Sequence, residues 1–191
     1  MAKSKKKKSD EEFEAELKDE WPSYVTALES YPEHVRAIGS ISIEIANLDD
    51  AFSGLLGALL NRRIEIAAAI YFSPQSYGPR LAIIRNVVQV LFPEDDNPMR
   101  KDLLKYVEKA REHVEKRNTL VHSAWLVRPQ TKEVFYSSHP ALENKAKLAR
   151  VVDLKHDLDR IRKLHWKVRT TTDAVHQILW ERQRASDKKS D

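Results

Sequence analysis

The chain has 191 residues, no cysteine, and 33 basic against 29 acidic side chains. That length carries one domain with a sizeable core and leaves two cramped, and the missing thiols exclude a disulfide framework or a thiolate metal site, which fits a reducing, cytoplasmic setting. Lys3, Lys5, Lys6, Lys7 and Lys8 hold five of the basic charges, so the rest stands at 28 against 29 and bulk charge does not argue for a broad nucleic-acid-binding surface.

The lysine-rich opening has the charge of a signal-peptide n-region, but residues 9–20 are acidic where an apolar segment would have to follow. No apolar run approaches membrane-spanning length, so no membrane partner is expected. Residues 1–20 are expected to be a disordered charged tail and 21–32 an entry segment. From 34 to 61, Ile38, Ile41, Ile45, Leu48, Phe52, Leu55, Leu56 and Leu59 recur at helical spacing and predict the first long helix. Glu44 falls on its apolar side and Asp49 at the border of that side. A carboxylate there needs a partner, either an arginine of a neighbouring helix or a catalytic group that it helps to orient.

Residues 64–72 read as a short helix, and the prolines and glycine of 73–79 as a turn. Leu81, Ile84, Val87, Val88 and Leu91 mark a third helix that Pro93 stops. A fourth begins near Met99, with the stripe Leu103, Val107, Ala110, Val114, Arg117 and Val121. Arg117 thus lies in line with core-facing residues, where arginines rarely belong. Residues 125–127 and 133–136 flank a turn and predict a short β-hairpin or irregular arm. A linker through Pro140 leads to a long last helix over 151–184, followed by a polar tail, 185–191. The fold class expected is all-α: one antiparallel helical bundle over 21–184, with the arm before its last helix.

The densest chemistry is Arg117-Asn118-Thr119-Leu120-Val121-His122, which gathers a fixed cation, an amide and an imidazole in six residues. Metal-free RNA cleavage needs such groups. Histidine moves protons near neutral pH, an arginine fork matches phosphate oxygens and stabilises the extra charge of a phosphorane, and an amide can hold an oxygen or fix the imidazole. The same Arg-to-His spacing recurs at Arg150 and His156, Arg160 and His165, and Arg169 and His176, but only Arg117 is followed by an asparagine. On an unbroken helix Arg117 and His122 stand about 140° apart. Either the helix breaks between them, or a second copy of the chain completes the site.

The Arg-Asn-x3-His motif late in a central helix resembles that of the HEPN family, helical proteins of higher eukaryotes and prokaryotes that include RNases, and the likeness extends over most of 34–184. It implies a homodimeric, metal-independent endoribonuclease without cofactor, acting on RNA. Arg117 would contact the scissile phosphate, Asn118 support it and His122 exchange protons, with Glu44, Asp49 and Trp125 as supporting candidates. It further implies a toxin or phage-defence role with an antitoxin or regulatory partner. Some relatives carry a modifiable tyrosine just after the histidine, where this chain has Ser123, Ala124 and Trp125. Trp125 is read either as a base-stacking ring or as an anchor of the arm. The alternative is a non-catalytic helical dimer that binds a nucleotide, RNA or protein and buries the motif in ion pairs. Metal hydrolysis is not expected: His113 and His122, and His156, His165 and His176, lack the i, i+3 or i, i+4 spacing of helical ligand pairs. His165 and His176 are expected as core histidines hydrogen-bonded to neighbours.

Overall fold

The computed structural model describes residues 28–128, 131–138 and 146–187. The charged tail 1–20, the entry segment up to 27, the tip of the arm at Pro129 and Gln130, and the linker around Pro140 lie outside the described residues. The structure is mainly helical. Helices α1 (Pro32–Leu60), α2 (Ile64–Phe72), α3 (Tyr77–Leu91) and α4 (Pro98–His122) precede a small sheet of β1 (Ala124–Val127), β2 (Val134–Ser137) and β3 (Lys147–Leu148), and α5 (Val151–Asp187) follows it. Two compact units divide the chain: Gly39–Asn118 with Lys155–Asp191, and Met1–Ile38 with Thr119–Leu154.

The larger unit is built on the apolar stripes. Ile41, Ile45, Leu48, Phe52, Leu55, Leu56 and Leu59 of α1 are buried, as are Leu81, Ile84 and Val88 of α3, Leu103, Val107, Ala110 and Val114 of α4, and Leu158, Ile161, Leu164, Val168 and Val175 of α5. Local signals set the ends of these helices. Pro32 opens α1, where a missing N–H costs nothing. At its other end Asn61 adopts φ 48°, and the amides of Asn61 and Arg62 return to the carbonyls of Ala58 (3.2 Å) and Gly57 (3.1 Å), the paired closure of a Schellman motif. Asn97 caps α4: its Oδ1 accepts from the amides of Met99 (2.9 Å) and Arg100 (3.2 Å), with Pro98 at the first helical position. Helix α2 occupies the expected 64–72 but buries only Ala67 and Tyr71, leaving Ile64, Ile66, Ile70 and Phe72 exposed.

In the smaller unit the expected hairpin pairs Trp125 with Tyr136 and Leu126 with Phe135. Lys132, at φ 55°, turns the chain between the strands, and its amide donates to the Arg128 carbonyl at 2.8 Å. The third strand departs from the expected layout. Residues 147–148, which the sequence reads as linker, pair antiparallel with Phe135 and Tyr136. Two residues are too few to show a period of two, so the pairing partner and not the local pattern makes this strand. The 3-10 turn Leu28–Ser30 packs against β1, and His34 Nε2 donates to the Ala149 carbonyl at 2.9 Å. Residues 185–187, assigned from sequence to a polar tail, complete the last turn of α5.

Candidate functional site

Helix α4 runs without a break through Arg117 to His122, which removes the arrangement in which the helix opens between them. Its end has a physical cause. The last carbonyls of a helix lack intrahelical partners, and two residues that follow the motif supply them: Ser123 Oγ donates to the Thr119 carbonyl at 2.5 Å, and Trp125 Nε1 to the Leu120 carbonyl at 3.0 Å. Trp125 is buried, 7% exposed, with its ring tilted against Tyr136 at 5.5 Å. It anchors the turn that carries His122 and offers no free face for a base. The predicted stripe also shifts here. Leu120 is buried and Val121 exposed, because the chain turns into β1 where the helical period would have continued.

Asn118 and His122 are exposed, and Arg117 is half-buried. Arg117 Nε is sealed from solvent without a hydrogen-bond partner, and no ion pair to Arg117 forms among the described residues. Its surroundings are a polar cluster inside the larger unit. Asp49 Oδ2 lies 2.6 Å from Arg80 Nη1, with the two side chains 11% and 19% exposed. Arg80 Nε donates to the Pro74 carbonyl at 3.0 Å, and its guanidinium stands 5.0 Å from the centre of the Phe72 ring.

Burial pushes the Asp49 carboxyl above its ordinary range, against the lowering effects of the Tyr71 hydroxyl and the Arg80 guanidinium. Burial also raises Tyr71, next to Tyr77 and Asp49, and raises Tyr77, which feels the charges of Asp49, Arg80 and Arg117. Asp49 Oδ1, the Tyr71 and Tyr77 hydroxyls and Arg117 Nε are all sealed from solvent with no hydrogen-bond partner among the described residues. Polar atoms in that state are costly unless water or a ligand meets them.

Glu44 is engaged elsewhere. Its Oε1 lies 2.7 Å from His165 Nδ1, and its Oε2 lies 3.8 Å from Arg162 Nε. The half-buried His165 thus has the hydrogen-bonded partner expected of it, whereas His176 is exposed. Periodicity places His176 on the apolar side of α5, but at this level of the helix the neighbouring Val175 takes the buried position and His176 turns toward solvent.

Two clefts of similar size in the larger unit are both lined without the motif. One, of about 740 Å³, is bordered by Asn47, Asp50, Gly54, His165, Arg169 and Asp173. The other, of about 720 Å³, lies between α4 and α5. Burial holds His113, at its edge, below the usual imidazole range, against the raising effect of Asp157. Among the described residues no group of histidine and carboxylate side chains has the arrangement to hold a metal ion, and no helix is long and apolar enough to cross a membrane. Neither a family model, nor a curated protein, nor a solved structure matches this chain.

Proposed function

We propose that the protein is a metal-independent endoribonuclease of HEPN type, with a site completed by a second copy of the chain. The observation that supports this reading is the half-buried, unpaired Arg117 on an unbroken helix whose exposed last turn carries Asn118 and His122. An arginine kept for structure would be matched by a carboxylate, and the two candidates, Glu44 and Asp49, are bonded to His165 and Arg80 instead.

In the proposed reaction the ribose 2′-oxygen attacks the adjacent phosphorus and gives up its proton to one His122. The P–O5′ bond breaks, the leaving oxygen takes a proton from the other His122, and the products carry a 2′,3′-cyclic phosphate and a 5′-hydroxyl. Arg117 neutralises the charge that builds on the phosphorane oxygens, and Asn118 holds one of them. The toxin or phage-defence setting, with an antitoxin, belongs to the same proposal. A non-catalytic binding module is the second reading. It is favoured by the proximity of the Arg117 charge to the Asp49, Tyr77 and Arg80 cluster, where the guanidinium would serve packing alone.

The test is cleavage of a mixed RNA pool in EDTA by wild type, His122→Ala and Arg117→Ala, with end-group analysis and solution mass. Cyclic-phosphate ends from a dimer, lost by at least about 100-fold in both folded variants, support the enzyme. Equal inactivity of all three across varied RNAs would leave the binding module.

A further inference from the structure

The cleft between α4 and α5 is made of two facing helical stripes. Tyr106, Lys109 and His113 stand at i, i+3 and i+7 on α4, and Arg160, Lys163 and Lys167 at the same intervals on α5, so each set shares a face. Directly beneath the α5 set runs the buried stripe Ile161, Leu164 and Val168, which fixes the rotation of the helix and aims the cations into the opening. Trp166 sits at the rim, 66% exposed, and borders the neighbouring cleft as well.

The charges in this cleft are not balanced internally. Lys109, Arg160, Lys163 and Lys167 form no ion pair among the described residues. Arg162 has only long contacts, 3.8 Å to Glu44 and 3.9 Å to Asp159. Glu112 is the one carboxylate on the lining, and nearby Asp157 is taken up by Lys116 at 2.5 Å. A solvated surface helix would intersperse signs. Here unpaired cations converge on a concave space that holds two aromatic rings, in a chain that is near neutral once its N-terminal lysines are set aside.

We infer that this cleft is a binding tract for single-stranded nucleic acid, with Lys109, Arg160, Lys163 and Lys167 on the phosphates and Trp166 as the platform for a base. Cations that track a backbone beside an exposed ring are the arrangement by which such strands are held without sequence preference. The volume, about 720 Å³, is in the range that encloses small organic groups and so admits a base with its sugar. A bilayer surface would not enter a concavity, and an acidic peptide would use the cations while leaving the ring without a planar partner. The inference does not rest on the RNase proposal: no residue of the Arg-Asn-x3-His motif lines the cleft.

The experiment is fluorescence anisotropy with the full chain and a mixed-sequence RNA of about 12 nucleotides, within the span that one such tract holds. Its riboses are 2′-O-methylated and cannot be cleaved by 2′-OH attack, so a failed RNase proposal leaves the assay intact. A DNA strand of the same sequence, its duplex and a polyglutamate peptide serve as competitors. Trp166→Ala is expected to weaken binding about 5- to 100-fold, the range of one stacked base. The double variant Lys163→Glu/Lys167→Glu is expected to weaken it more and to flatten the salt dependence by about 0.7 for each phosphate that is no longer neutralised. Lys101→Glu/Lys105→Glu changes the net charge equally outside the cleft and is expected to keep at least half the affinity. Single strands of either sugar should outcompete duplex and polyglutamate. The inference is overturned if Trp166→Ala binds as wild type, if the two charge variants lose affinity equally, or if polyglutamate competes as well as RNA.

Discussion

Replacing Arg80 by methionine should cost the fold about 4 kcal/mol at pH 7 and about 2 kcal/mol at pH 4.5. Arg80 Nη1 sits 2.6 Å from Asp49 Oδ2, with only 19% and 11% of the two side chains exposed. Removing the cation strands a carboxylate that burial already holds above its ordinary value of 3.8. Breaking a buried pair from one side costs about 3–5 kcal/mol. Protonation limits that cost, because holding such a carboxyl neutral at pH 7 takes about 1.36 kcal/mol for each unit above 3.8, or about 4 kcal/mol in all. At pH 4.5 the same limit falls to about 1 kcal/mol. Loss of the Pro74 bond and of the Phe72 ring interaction adds about 1 kcal/mol at either pH.

The sign follows from the direction of the shift. Without Arg80 the folded-state value of Asp49 rises further above the unfolded one, so its contribution is intact below the unfolded value and is lost as pH climbs through the folded one. Urea unfolding followed by far-UV circular dichroism at both pH values reads this directly. With a slope of about 2 kcal/mol per molar, the midpoint at pH 7 should fall by about 2 M. Adding Asp49→Asn to Arg80→Met should recover at least half of that loss. A deficit under about 1 kcal/mol at pH 7, or one equal at the two pH values, would refute the argument that an uncompensated buried carboxylate sets the cost.

Two further outcomes are expected. Trp125→Phe removes the bond to the Leu120 carbonyl and some buried volume, and should destabilise the protein by about 1–2 kcal/mol in the same urea assay. Amide hydrogen exchange in the last turn of α4 should quicken, and unchanged exchange there would mean that the indole does not hold the helix end. Glu108→Ala tests the opposite limit: Glu108 meets Arg85 at 3.3 Å and Arg111 at 2.5 Å, and the Arg111 hydrogen bond lowers its proton affinity first. All of this lies in water, so the thermal midpoint should match wild type within scatter.

Much of the helical layout is legible in the sequence because apolar spacing and punctuation agree. Pro93 and Pro98 bracket the loop between α3 and α4, and Ser73 to Pro79 separates α2 from α3. Burial of Leu103, Val107, Ala110 and Val114 follows from period alone. Partners do not. That Glu44 must bond to something can be read from its position on α1, but not that the something is His165, 121 residues away. Lys147 and Leu148 become a strand because β2 is beside them, which no local pattern encodes. The α4 and α5 cleft escapes a sequence reading for a related reason. The basic outer face of α5 is visible there, yet only the packing of a second helix against it turns a solvated face into a concave one. The signal that points to it is the matched i, i+3, i+7 set Tyr106, Lys109 and His113 on α4.

The small sheet bears on how copies of this protein can meet. One outer strand, β1, is covered by the turn at Leu28–Ser30, and the other, β3, offers only two residues, one of them a lysine. A strand from another molecule would find a template too short to extend, and Lys147 would repel its own image across any in-register pairing. Growth into fibrils through the arm is thereby discouraged, and the exposed apolar side chains that α2 carries, Ile64, Ile66 and Ile70, lie on a helix and offer no strand edge.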